Sequence, residues 1–128
     1  MADTIYETIG GRLRIQAAVK LFYEKVFADP SVGHFFQGVD VQGLHARQSM
    51  FVSMLLGGKI VYTGKDIRAA HANSRMKGMT DAHFDILLKH FRDALVEIEI
   101  LPDKIVKIMT LLEGTRDAVL GRATRADA

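Results

Sequence analysis

Apolar side chains recur along this chain at the three- and four-residue spacing of amphipathic helices, and no stretch alternates apolar and polar residues as a half-buried strand would. From about Arg12 to Phe27, Ile15, Val19, Phe22 and Val26 follow at intervals of four, three and four and mark one buried face, with Tyr23 at its edge. The segment ADPSVG ends that helix, because Pro30 restricts the residue before it and Gly33 admits unusual turns. From about Val41 to Leu56 a second helix carries Val41, Leu44, Phe51, Val52 and Leu55 on one face, with Gln48 in the middle of it. Gly57 and Gly58 close this helix, KIVYTGK reads as a loop, and a short helix from about Asp66 sets Ile67 and His71 one turn apart, turning His71 inward. Thr80 is a cap for a long helix with the stripe Phe84, Leu87, Leu88, Phe91, Leu95 and Ile98. Pro102 suits the first turn of a last helix, read as one continuous element through Ile105, Ile108, Met109, Leu112 and Val119. The predicted fold class is all-α.

With 128 residues, 48% hydrophobic and 25% charged, the chain is large enough for one packed core and too small for two. One domain is expected over residues 1–121, with 122–128 as a frayed tail. No run approaches the roughly 18 apolar residues of a membrane span, and the opening MADTIYETIG lacks a basic stretch followed by an apolar one, so a cytoplasmic protein is expected. The absence of cysteine excludes disulfides, thiolate metal sites and cofactor attachment through a cysteine pair. The net charge of +2 comes from scattered lysines and arginines, so nucleic acid is not an expected partner.

Against this background Gln48 is the anomaly. A buried amide without a partner costs roughly 1 to 3 kcal/mol, so something polar must meet it. Tyr23 can supply a hydroxyl. Two readings stand side by side: a Tyr–Gln pair within the core, or two groups that together hydrogen-bond a small polar ligand. Of the five histidines, His83 and His90 fall at the start and on the polar side of their helix. His34 sits at a turn, His45 lies one position round from the inward Leu44, and neither is expected to point inside. His71 is the inward candidate. One imidazole in apolar surroundings does not make a zinc site, which takes three or four ligands. An iron porphyrin brings its own four nitrogens and needs one histidine, an apolar slot and a polar group opposite, which fits the residues left unexplained.

Several motifs, in their order and spacing, bear on this: IGG near the start, FYEKVFADP, the corner HFFQGVD, RQSMF, LGG followed by YTG, and AAH before a loop leading to DAHFD. With these, the chain resembles the truncated haemoglobins of group I over nearly its whole length. That resemblance implies a two-over-two helical sandwich, non-covalent haem b, and binding of dioxygen, nitric oxide and carbon monoxide. It makes His71 the proximal iron ligand, Phe36 the phenylalanine packed on the haem, Tyr23 the distal tyrosine and Gln48 the glutamine assisting it. Leu44 falls where other globins often use a distal histidine, and Arg47 at a position near the haem propionates. In some relatives a histidine at that second position binds the iron, so Arg47 argues against such a sixth ligand. Phe22, Phe51, Tyr62, Ile67 and Phe84 resemble pocket-lining positions, for which ordinary core packing is the competing reading. Val52 replaces a bulkier aromatic of some relatives, implying a wider ligand path, and the loop ANSRMKGM is longer than in some members, which leaves Arg75 and Met76 without assigned haem roles.

The function so implied is reversible dioxygen binding, with the Tyr23 hydroxyl stabilising the charge that dioxygen acquires and Gln48 holding that hydroxyl. It extends to nitric oxide dioxygenation to nitrate, which requires an external reductase because no flavin or nicotinamide domain is present. A gas-sensing or redox haem protein with an internal sixth ligand is the alternative, and a haem-free helical interaction module a third. A monomer or weak dimer is expected.

Overall fold

Short polar side chains set where most of the helices begin. In the computed structural model, which describes residues 4–57, 71 and 78–122, Thr4 caps α1 (Ile5–Thr8) and Asp29 caps α3 (Pro30–Gly33), their side-chain oxygens accepting the Glu7 and Ser31 N–H groups at 3.1 and 3.0 Å. Between them runs α2 (Arg12–Phe27), over the residues its apolar periodicity marks. Pro30 therefore does more than end α2: it occupies the first turn of α3, where its missing N–H costs nothing. A single 3₁₀ turn, His34–Phe36, leads to α4 (Val41–Leu55), capped by Asp40 through the Gly43 N–H at 3.2 Å. Gly57 follows at φ +103°, and a Cβ there would lie 2.8 Å from that of Thr4, so glycine lets the end of α4 close against the chain start.

The long helix α5 (Asp81–Glu97) starts after Thr80, as expected, and His83 takes part in the start by accepting the Thr80 N–H on Nδ1 at 3.0 Å. One expectation fails here. The last helix is not continuous: α6 (Pro102–Glu113) stops, and α7 (Arg116–Val119) begins after Gly114 and Thr115. The Leu112 carbonyl accepts both the Thr115 N–H at 3.0 Å and the Thr115 hydroxyl at 2.7 Å, a tightened turn that ends α6. The periodicity of Leu112 and Val119 survives the break because both still face inward.

α2 packs on α4 and on α5, and α5 packs on α6, so the pair α2/α4 lies over the pair α5/α6. Among the described residues every regular element is helical. Ile15, Val19, Val26, Leu95 and Ile108 are sealed where these helices meet. Each such aliphatic side chain contributes about 1.5 to 3 kcal/mol on burial. Polar ties fix the layers: Lys25 pairs with Glu97 at 2.6 Å and His90 with Asp29 at 2.8 Å, joining α2 and the start of α3 to α5. Arg116 binds Asp81, Asp85 and Glu113 while lying 4.8 Å over the Phe84 ring, which anchors α7 on the start of α5. Among the described residues no helix is long and apolar enough to cross a membrane.

Candidate functional site

The packing of α2, α4, α5 and the α6–α7 break leaves a cavity with about 660 Å³ of atom-free space, counted to its open mouth. Its walls are mainly apolar. Val19 and Phe22 face it from α2, Phe51 and Val52 from α4, Phe84, Leu87, Leu88 and Phe91 from α5, and Leu112 and Val119 from the last two helices. The polar groups reaching it are few: Tyr23, Gln48, His71 and Thr115. Thr115 is satisfied by the Leu112 carbonyl, which leaves the other three as its candidate chemistry.

Tyr23 is 1% exposed and stands in a cage of rings. Phe22 meets it edge-on at 4.8 Å and Phe36 at 5.5 Å, Phe27 lies tilted at 6.0 Å, and His45 stacks on it at 5.3 Å and 20°. Burial pushes its hydroxyl above the usual tyrosine range, with the Arg47 charge opposing weakly, so the phenol stays protonated and can only donate or accept as a neutral group. Gln48 faces the same cavity, half-buried. No hydrogen bond joins it to Tyr23, and neither bonds any other described residue. The closed Tyr–Gln pair is therefore not formed in this structure. The two groups stand as separate donors, because rings and helix packing, not an amide, fix Tyr23.

His71 reaches the cavity half-buried, with Phe51 edge-on to its ring at 5.8 Å. Phe36, Phe22, Phe51 and Phe84 all line it. Leu44 does not: one turn before Gln48, it is buried in the hydrophobic core instead. Arg47 is exposed, outside the lining but near enough for its charge to reach Tyr23. Tyr62 and Ile67, the short helix from Asp66 apart from His71, the loop KIVYTGK, Arg75 and Met76 lie outside the described residues.

Periodicity marked Val19, Leu87, Leu88, Phe91, Leu112 and Val119 as apolar, but nothing in it separates a cavity wall from a core contact. His45 was misjudged. It stacks on Tyr23 with Nε2 shut away from solvent, because one position round from Leu44 still falls between α4 and α2. Among the described residues no group of three or more His, Cys, Asp or Glu side chains could hold a bare metal ion. Among the described residues that line the apolar cavity, His71 supplies the imidazole.

The model of the bacterial-like globin family matches residues 4–120. The group 1 truncated hemoglobin of Tetrahymena pyriformis is 37% identical over 120 residues, covering 94% of this chain and 97% of that one. The group 1 truncated hemoglobin LI410 of Chlamydomonas moewusii is 36% identical over 91% of this chain and 68% of its own length. Among solved structures, the 2/2 hemoglobin of Synechococcus sp. PCC 7002, in the cyanomet state with covalently attached heme, superposes with a TM-score of 0.87 at 32% identity over 94% of this chain and all of that one. The Tetrahymena pyriformis protein in its Fe(III) form gives 0.81 at 36% identity, over 92% of this chain and 98% of that one. The two helix pairs, the cavity between them and these likenesses agree: the chain belongs to the bacterial-like globins, as a truncated haemoglobin of group 1.

Proposed function

We propose that this globin holds haem b without a covalent bond, uses His71 as the iron ligand, and binds dioxygen reversibly, as well as nitric oxide and carbon monoxide, on the side of Tyr23 and Gln48. The observation that carries the reading is one apolar cavity lined by both the His71 imidazole and the phenol of the buried Tyr23, which bonds no other described residue. The residues fit the group. The aromatic and aliphatic walls suit a flat apolar macrocycle, and His71 offers it one nitrogen ligand. Without cysteine the chain has no thiol for a thioether link. The exposed Arg47 is available to a propionate at the mouth.

Haem iron, when bound, supplies the attachment point for a diatomic gas and gives dioxygen a partial negative charge. The Tyr23 hydroxyl, kept neutral by burial, donates a hydrogen bond to that charge. The Gln48 amide offers a second, independent donor. Phe22, Phe51, Val52, Phe84 and Phe91 keep bulk water from the ligand, which strengthens each of these bonds. Nitric oxide dioxygenation to nitrate belongs to the same proposal. It requires electrons from a reductase to return the iron to its ferrous state.

Oxygen binding is tested by displacing dioxygen with carbon monoxide in a stopped-flow instrument, and turnover by following nitric oxide loss with a reductase and NADH supplied. A reduced protein that binds carbon monoxide yet forms no reversible dioxygen complex would refute the oxygen-binding reading. Stoichiometric nitric oxide consumption without repeated turnover would remove the dioxygenase.

A further inference from the structure

We infer that His45 is a positioning residue: its imidazole clamps the Tyr23 ring from α4 and so fixes where the hydroxyl opens into the cavity. The inference rests on the reading of that cavity as the haem and gas site.

The rings of His45 and Tyr23 lie 5.3 Å apart and within 20° of parallel, the most nearly parallel of the ring contacts that enclose Tyr23. Phe22 and Phe27 reach Tyr23 from its own helix and Phe36 from the 3₁₀ turn, so among these rings only His45 comes from α4, the helix that also presents Gln48 three residues on. α4 thus sets both distal groups, one directly and one through a stack. His45 also lines a polar groove between α2 and α4 with Gln16, Lys20, Gln42 and Ser49. Yet its Nε2 is sealed from solvent and has no hydrogen-bond partner. A buried unpaired nitrogen in a folded protein calls for a compensating role, and neither a hydrogen bond nor solvation explains this one. What the ring does engage is the phenol, through its face, where the residue also borders the groove.

The test compares His45→Ala, His45→Leu and His45→Phe in the haem-loaded protein, each also in a Tyr23→Phe background. The expected results are an oxygen dissociation rate raised roughly twofold to tenfold in the Ala and Leu variants, a shifted or broadened infrared C–O stretch of the carbon monoxide complex, and return toward wild type with Phe. In the Tyr23→Phe background the three variants should not differ. Faster flipping of the Tyr23 ring in Ala and Leu, read by NMR with ring-labelled tyrosine, reports the clamp without reference to gas binding. If the protein took up no haem, the function proposed above would fail while the ring-flip comparison still decided the clamp. Equal ring flipping and equal C–O bands in Leu and Phe would overturn it, as would an effect of His45 that persists without the Tyr23 hydroxyl. Should Ala fail to fold, the Leu and Phe pair carries the comparison.

Discussion

Tyr23→Phe should weaken dioxygen binding while leaving protein stability nearly unchanged. Phenylalanine keeps the ring and its contacts with Phe22, Phe27, Phe36 and His45, so the substitution removes one hydroxyl and little else. That hydroxyl sits on a residue only 1% exposed and bonds no other described residue. Because Tyr23 lines the cavity and its hydroxyl leaves no bonded partner behind among the described residues, removing it should change the unfolding free energy of the ligand-free protein by less than about 1 kcal/mol. With dioxygen bound the hydroxyl gains its partner, and losing a hydrogen bond to a charged acceptor costs about 1.5 to 3 kcal/mol, equivalent to oxygen release faster by about tenfold to 150-fold. Stopped-flow displacement by carbon monoxide reads the first quantity and urea unfolding of the ligand-free protein the second. Unchanged oxygen release would refute the distal role. A loss of more than about 1 kcal/mol in stability would show that the hydroxyl has a protein partner after all.

Other consequences follow from the same geometry. Because no hydrogen bond joins Gln48 to Tyr23, Gln48→Leu should speed oxygen release by about twofold to tenfold and add to Tyr23→Phe within about 0.5 kcal/mol, with strong non-additivity contradicting separate donors. Val52→Phe places a ring in the cavity wall, so carbon monoxide rebinding after flash photolysis should slow and stability should fall by about 1 to 3 kcal/mol; an unchanged rate would route the gas elsewhere. Asp29, held by the Ser31 side chain first and then by His90, has its carboxyl lowered from 3.8 to about 2. A depressed folded value means that its contribution is complete above 3.8 and fades as pH falls toward about 2. Asp29→Asn should therefore flatten the acid unfolding curve in that window, and a curve identical to wild type would contradict the pairing.

How much of this was legible in the sequence differs from residue to residue. The limits of α2, the start of α5 and the Pro102 start of α6 follow from periodicity, a threonine cap and a proline in a first turn, all local signals. The break before α7 was not legible. Leu112 and Val119 keep helical spacing across it, while the cause is a side-chain bond, Thr115 hydroxyl to Leu112 carbonyl, that competes with the backbone. At the site, Tyr23 and Gln48 stood out as polar groups among apolar ones, and His71 as an imidazole turned inward. Their independence did not, since whether two polar side chains meet depends on the offset between α2 and α4, which sequence spacing does not encode. The same offset explains Leu44, which leaves the cavity for the core, and His45, which slides between the helices to stack on Tyr23.

The central claim, that His71 holds haem iron in this cavity, is tested most directly by the visible spectrum of the purified protein beside His71→Gly with and without added imidazole. Wild type should show a strong haem band near 400 nm that sharpens and shifts on reduction under carbon monoxide, His71→Gly a weakened and altered band, and added imidazole should restore it by taking the vacated place. A wild-type protein that takes up no haem, or a glycine variant with an unchanged spectrum, would contradict it.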